Sequence, residues 1–454
     1  MPEDITIMIV DGGARGHVLS EAYENDPRVK RIVVAPGNDF VGHNRQKDVI
    51  IAKDSSLKDP KSLLNVAQRY KPDLVDVAQD DALALGTVNL LRDNGFAAFG
   101  PTAEAARIES SKVWSRDFMA RHEIPSPAFK SFTDSREAIE YLRLEYGKKG
   151  NKNKLLFEKA DGLCGGKGAL RSRSLREGIA NVKYMSNFGT AGSNFVIEDG
   201  IVGKDGRAGE EFSYVVITDG HTYRSFKPGQ DNKLAKNFDE GDQTGGMGAN
   251  APAQVVTLEI AAKTERCIIT RAIAGMAKEG LPYVGILYVG GMEVDGDPYV
   301  VEFNARPGDP ETQVMWPGVK NYPEMVLAAL KGRLSEVKLR DDIKYRWCVV
   351  GASRGYPGDY TQAKGKIIYG LEEAAKLRGI SIYGAGITIQ DGKFYANGGR
   401  LFHVVGEGTN PKQTRQITYE AMSYINIEGN NLQFRTDIGW RDTDRFLGNP
   451  SIFQ

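Results

Sequence analysis

Cysteine is scarce in this chain, with Cys164, Cys267 and Cys348 the only three in 454 residues. They are odd in number and far apart, so they make neither a disulfide framework nor a zinc cluster. Histidine is also scarce, at five. None of His17, His43, His122, His221 and His403 has a metal-ligating partner at a suitable spacing, and no Ser/His/Asp or Cys/His arrangement appears. Chemistry here is therefore not expected to turn on a histidine base. Charge of one sign is not in excess: 59 basic and 59 acidic residues give a net charge of zero. Charge alone thus gives no reason to expect a nucleic-acid or membrane partner. No long hydrophobic run exists. The apolar stretch Ile5–Val10 is too short to span a bilayer and no cleavage-site pattern follows it, which makes a cytoplasmic protein the expectation. Internal repeats and low-complexity linkers are absent too, which excludes a solenoid.

Apolar residues at 41% and charged residues at 26% describe an ordinary globular protein, with room for about two to four domains. The β-rich run Ile5–Val10 leads into Asp11-Gly12-Gly13-Ala14-Arg15-Gly16 and then a helical stretch from His17. Further strands are expected at 31–35, 49–52, 74–78 and 97–99, with helices between them. Strand–helix alternation with glycine at strand ends predicts a parallel α/β sheet whose ligands sit beyond the carboxyl ends of the strands. A helix of about 20 residues should follow Gly100-Pro101-Thr102 and stop before Pro125. A small α/β lobe (126–200), a larger α/β body and a final β-rich domain complete the expectation. The last domain has strands at 345–352, 366–369, 380–389 and 401–405. Residues 147–154 read as a polar surface loop.

Several stretches could carry chemistry. Alternation along Val300–Asn304 sends Glu302 and Asn304 to one face and Phe303 to the other. Two hard oxygen ligands side by side suit magnesium between a protein and nucleotide phosphates, and Arg306 adds a fork of donors. Alone, Glu-x-Asn equally describes a half-buried strand entering a solvated turn. The segment Lys159–Ala169 is a strand end followed by a glycine-rich loop with Gly165, Gly166, Lys167 and Gly168. Its N–H groups can wrap phosphates and its lysines supply charge, although it has no Walker A pattern. Gly12-Gly13-x-x-Gly16 lacks dinucleotide-fingerprint spacing, yet suits an anion, with Arg15 and Pro36-Gly37-Asn38 adding donors. The Glu198–Ile201 strand edge can offer backbone groups and Glu198 to an adenine, and a carboxylate from Glu210 or Glu211 can accept from ribose hydroxyls. Asp231 and the turn Thr244–Ala249 bring backbone close to a small ligand, and Asp231 can pair with an amine. Asp239, Glu240 and Asp242 are expected in solvent.

Together these residues resemble the ATP-grasp superfamily and, within it, the phosphoribosylamine–glycine ligase family. The matching pieces run in order along nearly the whole chain: VAPGN (34–38), FGPTAEAARIESSK (99–112), KADGLCGGKG (159–168), GEEFS (209–213), QD-x-K (230–233), TGGMGA (244–249), GILYVGGM (285–292), EFNARPGDPETQ (302–313), GYPGDY (355–360), NGGR (397–400) and DIGWR (437–441). The resemblance implies an N-terminal α/β domain (1–104), an ATP-grasp domain (105–335) with a mobile lid at about 126–197, and a C-terminal β-rich domain (336–454). It implies ATP as substrate and Mg2+ or Mn2+ as the ion. Carried over residue by residue, Lys159 and Gly165–Gly168 contact phosphates, and Glu198, Asp199, Gly200 and Ile201 hold adenine. Glu211 takes the ribose, while Glu302 and Asn304 take the metal. Arg306, Asp309, Asp231, Gly245, Gly246 and Gly248 line the glycine and phosphoribosylamine site, with Gly37 and Asn38 at the sugar phosphate. Lys159, Lys167 and Arg306 are the implied catalytic groups.

The chain departs from the family pattern where Gly-Gly-Arg-Glu-His reads Gly12-Gly13-Ala14-Arg15-Gly16-His17. Gly-Pro-Glu is replaced by Ala78-Gln79-Asp80, residues 202–208 lengthen the adenine loop, and Ala305 and Pro307 replace a Cys and a Phe. The reaction implied is phosphorylation of glycine by ATP and attack of 5-phosphoribosylamine on the acyl phosphate. The implied partners are small molecules only, with the chain a monomer or small homo-oligomer. Two other readings are compatible with the residues: an ATP-grasp ligase for another acid or amine, and a non-catalytic nucleotide-binding protein on the same fold.

Overall fold

The computed structural model describes residues 4–165 and 167–448. The first layer is a five-stranded parallel sheet in the order Asp48–Ile51, Val29–Pro36, Ile5–Asp11, Leu74–Val77, Ala98–Phe99. Its central strands read as apolar runs because both faces are covered. Met8 and Val10 pack with Leu63 and Val66 of helix Pro60–Tyr70. Ile7 and Ile9 pack with Val18 and Leu19 of helix Ala14–Glu24.

The single long helix expected after Thr102 is two helices, Ala103–Ser110 and Lys112–Arg121. Ser111 breaks it: its backbone is extended and its hydroxyl accepts from Trp114 N–H, capping the second helix. The same hydroxyl donates to Asp161 Oδ1 (2.9 Å), which also accepts from Val113 N–H (2.8 Å). This break ties the helix start to the glycine loop and aims Lys112 at the cavity described below.

A four-stranded antiparallel sheet follows, in the order Phe129–Phe132, Phe195–Asp199, Leu156–Ala160, Ala169–Ser172. Helices Ser135–Gly147 and Leu175–Tyr184 belong with it, N-capped by Asp134 and Ser174. This lobe has its own small core around Leu142, Leu156 and Phe195. The body sheet orders Tyr223–Ser225, Glu210–Asp219, Val284–Val294 and Asp297–Asn304. A register shift sits opposite Gly290 and Gly291, so Glu302 faces Gly290 while Val301 is skipped. A side chain at Gly291 would land 2.3 Å from the Phe212 ring.

The C-terminal part is antiparallel and β-rich. Body strands Gln230–Asp231 and Gly248–Ala251 join its main sheet beside Tyr345–Ser353, Arg400–Gly408 and Ile380–Gly384. The strand expected at 380–389 is two strands, because Ile387–Gln390 belongs to a different sheet. The crossing is made by glycines in close contact: a Cβ at Gly384 would lie 2.3 Å from Phe40, and one at Gly386 2.7 Å from Gly398. No described helix is long and apolar enough to cross a membrane.

Candidate active site

A cavity of about 510 Å3 opens where the N-terminal sheet, the lobe's glycine loop and the body meet the C-terminal domain. Its floor is the carboxyl end of strand Asp297–Asn304. Glu302 and Asn304 both line it, as period-two alternation requires. Lys233 Nζ lies 3.2 Å from Glu302 Oε1 and 3.6 Å from Glu211 Oε2. Lys233, with Lys112 and Lys159 behind it, holds Glu302 well below the usual carboxylate range. Burial alone would lower the Lys233 pKa, but Glu302 and Glu211 outweigh it and raise it. The body therefore presents an ionised carboxylate and an amide oxygen side by side, a hard-oxygen pair that fits a divalent cation. Among the described residues no three His, Cys, Asp or Glu side chains gather into a metal cage. A cation here would share its coordination with a bound substrate's oxygens.

The choice between Glu210 and Glu211 is made by packing. Glu210 is engaged by Gln230 Nε2 (2.7 Å) and by Arg445, whereas Glu211 turns toward Lys233. Arg306 is half-buried in the same cavity. Its Nη2 donates to Asn304 Oδ1 (3.1 Å) and pairs with Glu109 (3.0 Å), while its Nε has no hydrogen-bond partner. Burial raises Glu109 to about 7 against the pull of Arg306. Asp231 also lines the cavity, and its buried Oδ1 has no hydrogen-bond partner. Burial, then the neighbouring Glu311, pushes its pKa well up. One acceptor and one donor without a protein partner, both closed off from solvent, thus belong to residues of the same wall.

Asp309 stands at the C-terminal side, held by Gln313 Nε2 (2.9 Å), Arg400 Nη2 (3.3 Å) and His403 Nε2 (3.2 Å). Despite burial, Arg400 and His403 keep it well below the usual range. Arg400 Nη1 also donates to Gly245 O (2.7 Å) and Asp309 O (2.9 Å). Thr244 and Gly245 of this turn line the cavity; Gly246 does not, and its φ of +110° and a Cβ position 2.4 Å from Pro310 make it the residue that lets the turn pack against Pro310. Gly248 is buried, with φ +158° and space closed by Cys348 and Ile438, and it does not line the cavity.

On the lobe side, Gly162, Leu163, Cys164, Gly165, Gly168 and Ala169 line the cavity. Gly166 lies outside the described residues. Lys167 is not in the wall; its Nζ donates to Pro357 O (3.1 Å). Lys159 is buried, bound to Glu198 and within 3.4 Å of Val301 O. Glu198 is likewise buried. Its Oε2 receives Arg116 at 2.6 Å, so its carboxylate is engaged by two cations. Asp199 and Gly200 already donate their N–H groups to Ala128 O (2.9 Å) and Leu155 O (2.8 Å). With Ile201 they line a separate cavity of about 320 Å3.

Two expectations are corrected. Arg15 is not a free anion donor: it is 5% exposed and bonds Asp11 (2.8 Å) and Pro307 O (3.0 Å). Asp11 Oδ1 also takes Gly13 N–H (2.6 Å) and Gly16 N–H (3.0 Å), so the loop's own carboxylate occupies the donors a phosphate would use. Asp239, expected in solvent, pairs with Arg435 (2.9 Å) and Arg441 (2.7 Å). Gly37 and Asn38 line an adjoining cavity of about 520 Å3 with Lys53, Tyr356, Tyr360 and Thr388, which shares Gly12, Gly13, Asp309 and Arg400 with the first. Lys112, Lys233, Glu109 and Arg400 are site residues that the sequence reading quoted within motifs but gave no role: Lys112 and Glu109 lie in one motif, Lys233 ends a second and Arg400 ends a third.

The three layers match three known domains in order. The description "Phosphoribosylglycinamide synthetase, N domain" fits residues 5–109, its ATP-grasp (A) domain residues 110–312, and its C domain residues 346–441. The chain belongs to the phosphoribosylglycinamide synthetase family. Among curated members, the phosphoribosylamine–glycine ligase of Pseudomonas aeruginosa is 37% identical over 449 residues, 98% of this chain and 100% of that one. That of Vibrio vulnificus is 36% identical over 443 residues, covering 96% and 98%. The crystal structure of phosphoribosylamine–glycine ligase from Thermotoga maritima superposes with a TM-score of 0.77 at 28% identity, covering 96% of this chain and 100% of that one. The biotin carboxylase domain of a Hydrogenobacter thermophilus carboxylase shares the fold at a TM-score of 0.68 and 12% identity, over 96% and 92%. The fold is thus the family's: a parallel N-terminal sheet, an ATP-grasp body with its lobe, and antiparallel C-terminal sheets.

Proposed function

We propose that this chain couples ATP cleavage to amide-bond formation between glycine and 5-phosphoribosylamine, yielding glycinamide ribonucleotide, ADP and phosphate in purine biosynthesis. The observation that carries the reading is the pair of orphaned groups beside Glu302 and Asn304. Asp231 Oδ1 lacks a donor and Arg306 Nε lacks an acceptor, and the two residues line one cavity. A small zwitterion supplies an ammonium to the first and a carboxylate to the second.

In this reading the carboxylate of glycine lies between Arg306 and the phosphate end of ATP. A carboxylate is a poor acyl donor because its leaving group is oxide, and phosphorylation replaces that leaving group with phosphate. The loop around Gly165 and Gly168, with Lys112 and Lys233 in the cavity wall and Lys159 behind them, neutralises charge on the transferring group, while Lys167 is held on Pro357 O. Glu302 and Asn304 would hold Mg2+ or Mn2+, whose charge, when bound, offsets that of the phosphates. Glu211 serves the ribose, and the 198–201 segment the adenine. The adjoining cavity with Gly37 and Asn38 takes the phosphoribosyl end of the amine. Asp11 satisfies Gly13 and Gly16, and the Asn38 amide donates to Gly12 O and Gly384 O, so in this cavity the cationic group for its phosphate is Lys53, which pairs with Asp39 in the free protein. Acyl phosphates hydrolyse, so the lobe should cover the site before chemistry. ATP and a labile amine as substrates support a cytoplasmic enzyme acting on small molecules.

The test is ADP release with ATP, Mg2+ and glycine, with and without freshly generated phosphoribosylamine. Release that needs both substrates supports the reading. Release only with another acid or amine moves the substrate but keeps the chemistry. ATP binding without release in any combination would make this a nucleotide-binding protein.

A further inference from the structure

The segment Gly355–Tyr360 lies far from the nucleotide elements in sequence, yet it touches all three working parts of the site. Tyr356 and Tyr360 line the acceptor cavity beside Gly37, Asn38 and Lys53. The Tyr356 hydroxyl accepts from Gly245 N–H (3.1 Å), in the turn beside Asp231. The next carbonyl, Pro357 O, accepts from Lys167 Nζ of the lobe loop (3.1 Å). The Tyr356 backbone is itself anchored, its N–H to Ser353 O (3.1 Å) and its carbonyl to Gln433 Nε2 (3.0 Å). Its ring lies on Gly399, where a Cβ would come within 2.4 Å. The neighbouring Arg400 reaches Gly245 O at 2.7 Å. Gly355, Gly358 and Asp359 are exposed. The contacts to the turn and the lobe are therefore a large share of what holds the segment's outer side.

We propose that Tyr356 is a positioning residue that couples the acceptor pocket to the acyl site and the lobe, so that the acyl phosphate is committed only with the amine in place. The inference rests on the ligase reading above. An amine in the acceptor pocket packs against the Tyr356 ring. The ring holds the Gly245 turn through its hydroxyl and holds Pro357 O against Lys167, closing the lobe over the reacting atoms. Productive transfer forms a C–N bond from the amine lone pair. The acyl C–O bond breaks, phosphate leaves with its electron pair, and the nitrogen's extra proton passes to solvent. In the wasteful alternative, water forms the C–O bond and the same phosphate leaves, so ADP appears without amide. The two fates are distinguished by the ratio of ADP to amide formed.

The experiment measures that ratio, with KM for the amine and for ATP, in full-length wild type and Tyr356→Phe. The variant keeps the ring and removes only the hydroxyl. Loss of one hydrogen bond predicts an excess of ADP over amide about three- to tenfold above wild type, a raised KM for the amine and an unchanged KM for ATP. Gly399→Ala, which keeps the hydroxyl but displaces the ring, should uncouple in the same direction. A merely structural role would lower both products together. A wild-type ratio in both folded variants overturns the proposal. Absence of glycine- and amine-dependent ADP release by the wild type overturns the ligase reading and this coupling with it.

Discussion

Replacing Glu302 by Gln removes one charge from the centre of the cavity and changes almost no volume. In the free protein that carboxylate lies 3.2 Å from Lys233 Nζ, a gross attraction of about 5 kcal/mol at an effective dielectric of about 20. Both ions give up hydration to meet, and Glu302 remains partly open to the cavity. The net contribution to stability is therefore roughly 1–2 kcal/mol, between that of a surface and a buried pair. Lys233 keeps Glu211 at 3.6 Å, so the fold should survive, with an unchanged circular-dichroism spectrum. Catalysis should suffer far more, because in the proposed function the lost charge is the one that holds the cation against the phosphates. A single electrostatic contact of this kind is worth about 10²–10³ in kcat, or roughly 3–4 kcal/mol. The assay is steady-state ADP release with a magnesium titration at saturating ATP and glycine. The half-activating magnesium concentration should rise together with the fall in kcat. A variant with kcat within about twofold of wild type and an unmoved magnesium curve would refute the metal assignment.

Asp231→Asn should raise KM for glycine about 10- to 100-fold, the value of a charge-assisted hydrogen bond, with a smaller change in KM for ATP; equal KM values would remove Asp231 from the glycine site. Glu109, raised to about 7 by burial, pairs with Arg306 only when ionised. Wild-type kcat/KM should therefore fall as pH drops below that value, and Glu109→Gln should lose this acid limb; an unchanged limb would assign it to another group. Asp76 is pushed up to about 6 by burial, from a usual 3.8, while accepting from Tyr23 (2.8 Å) and Tyr322 (2.9 Å). Its folded form holds the proton more tightly than the unfolded chain, so its stabilisation is complete below the unfolded value and lost as pH rises through 6. The amount is roughly 3 kcal/mol. Urea melts at acid and alkaline pH should converge for Asp76→Asn, and a pH dependence identical to wild type would refute the assignment.

Much of the site was legible because short-range rules suffice for it. Glu302 and Asn304 are two residues apart on a strand, and period two places them together without knowledge of the rest of the fold. Residues 165 and 168 sit just beyond a strand, where glycine frees the backbone. The parallel strands were legible because burial on both faces makes them uninterrupted apolar runs. What failed depended on contacts the local pattern does not contain. Ser111 reads as one more polar helix residue, yet its bond to Asp161 splits the helix. Arg15 reads as a free donor, yet Asp11 and Pro307 claim it. Residues 380–389 read as one strand, yet Gly384 and Gly386 pass between packed neighbours and change sheets.

The sequence by itself determined the order of layers, the position of the glycine loop and the paired oxygen ligands, because each is set by neighbours within a few residues. Tertiary structure alone decided which charges meet. Lys233 is 69 residues from Glu302, Arg306 is 197 from Glu109, and Tyr356 is 111 from Gly245. Glu211 and Glu210 are adjacent and chemically identical, and only the structure shows that Arg445 and Gln230 meet Glu210 while Glu211 turns to Lys233. A charge is selected by what lies within a few ångströms of it, and in this chain those neighbours come from all three domains.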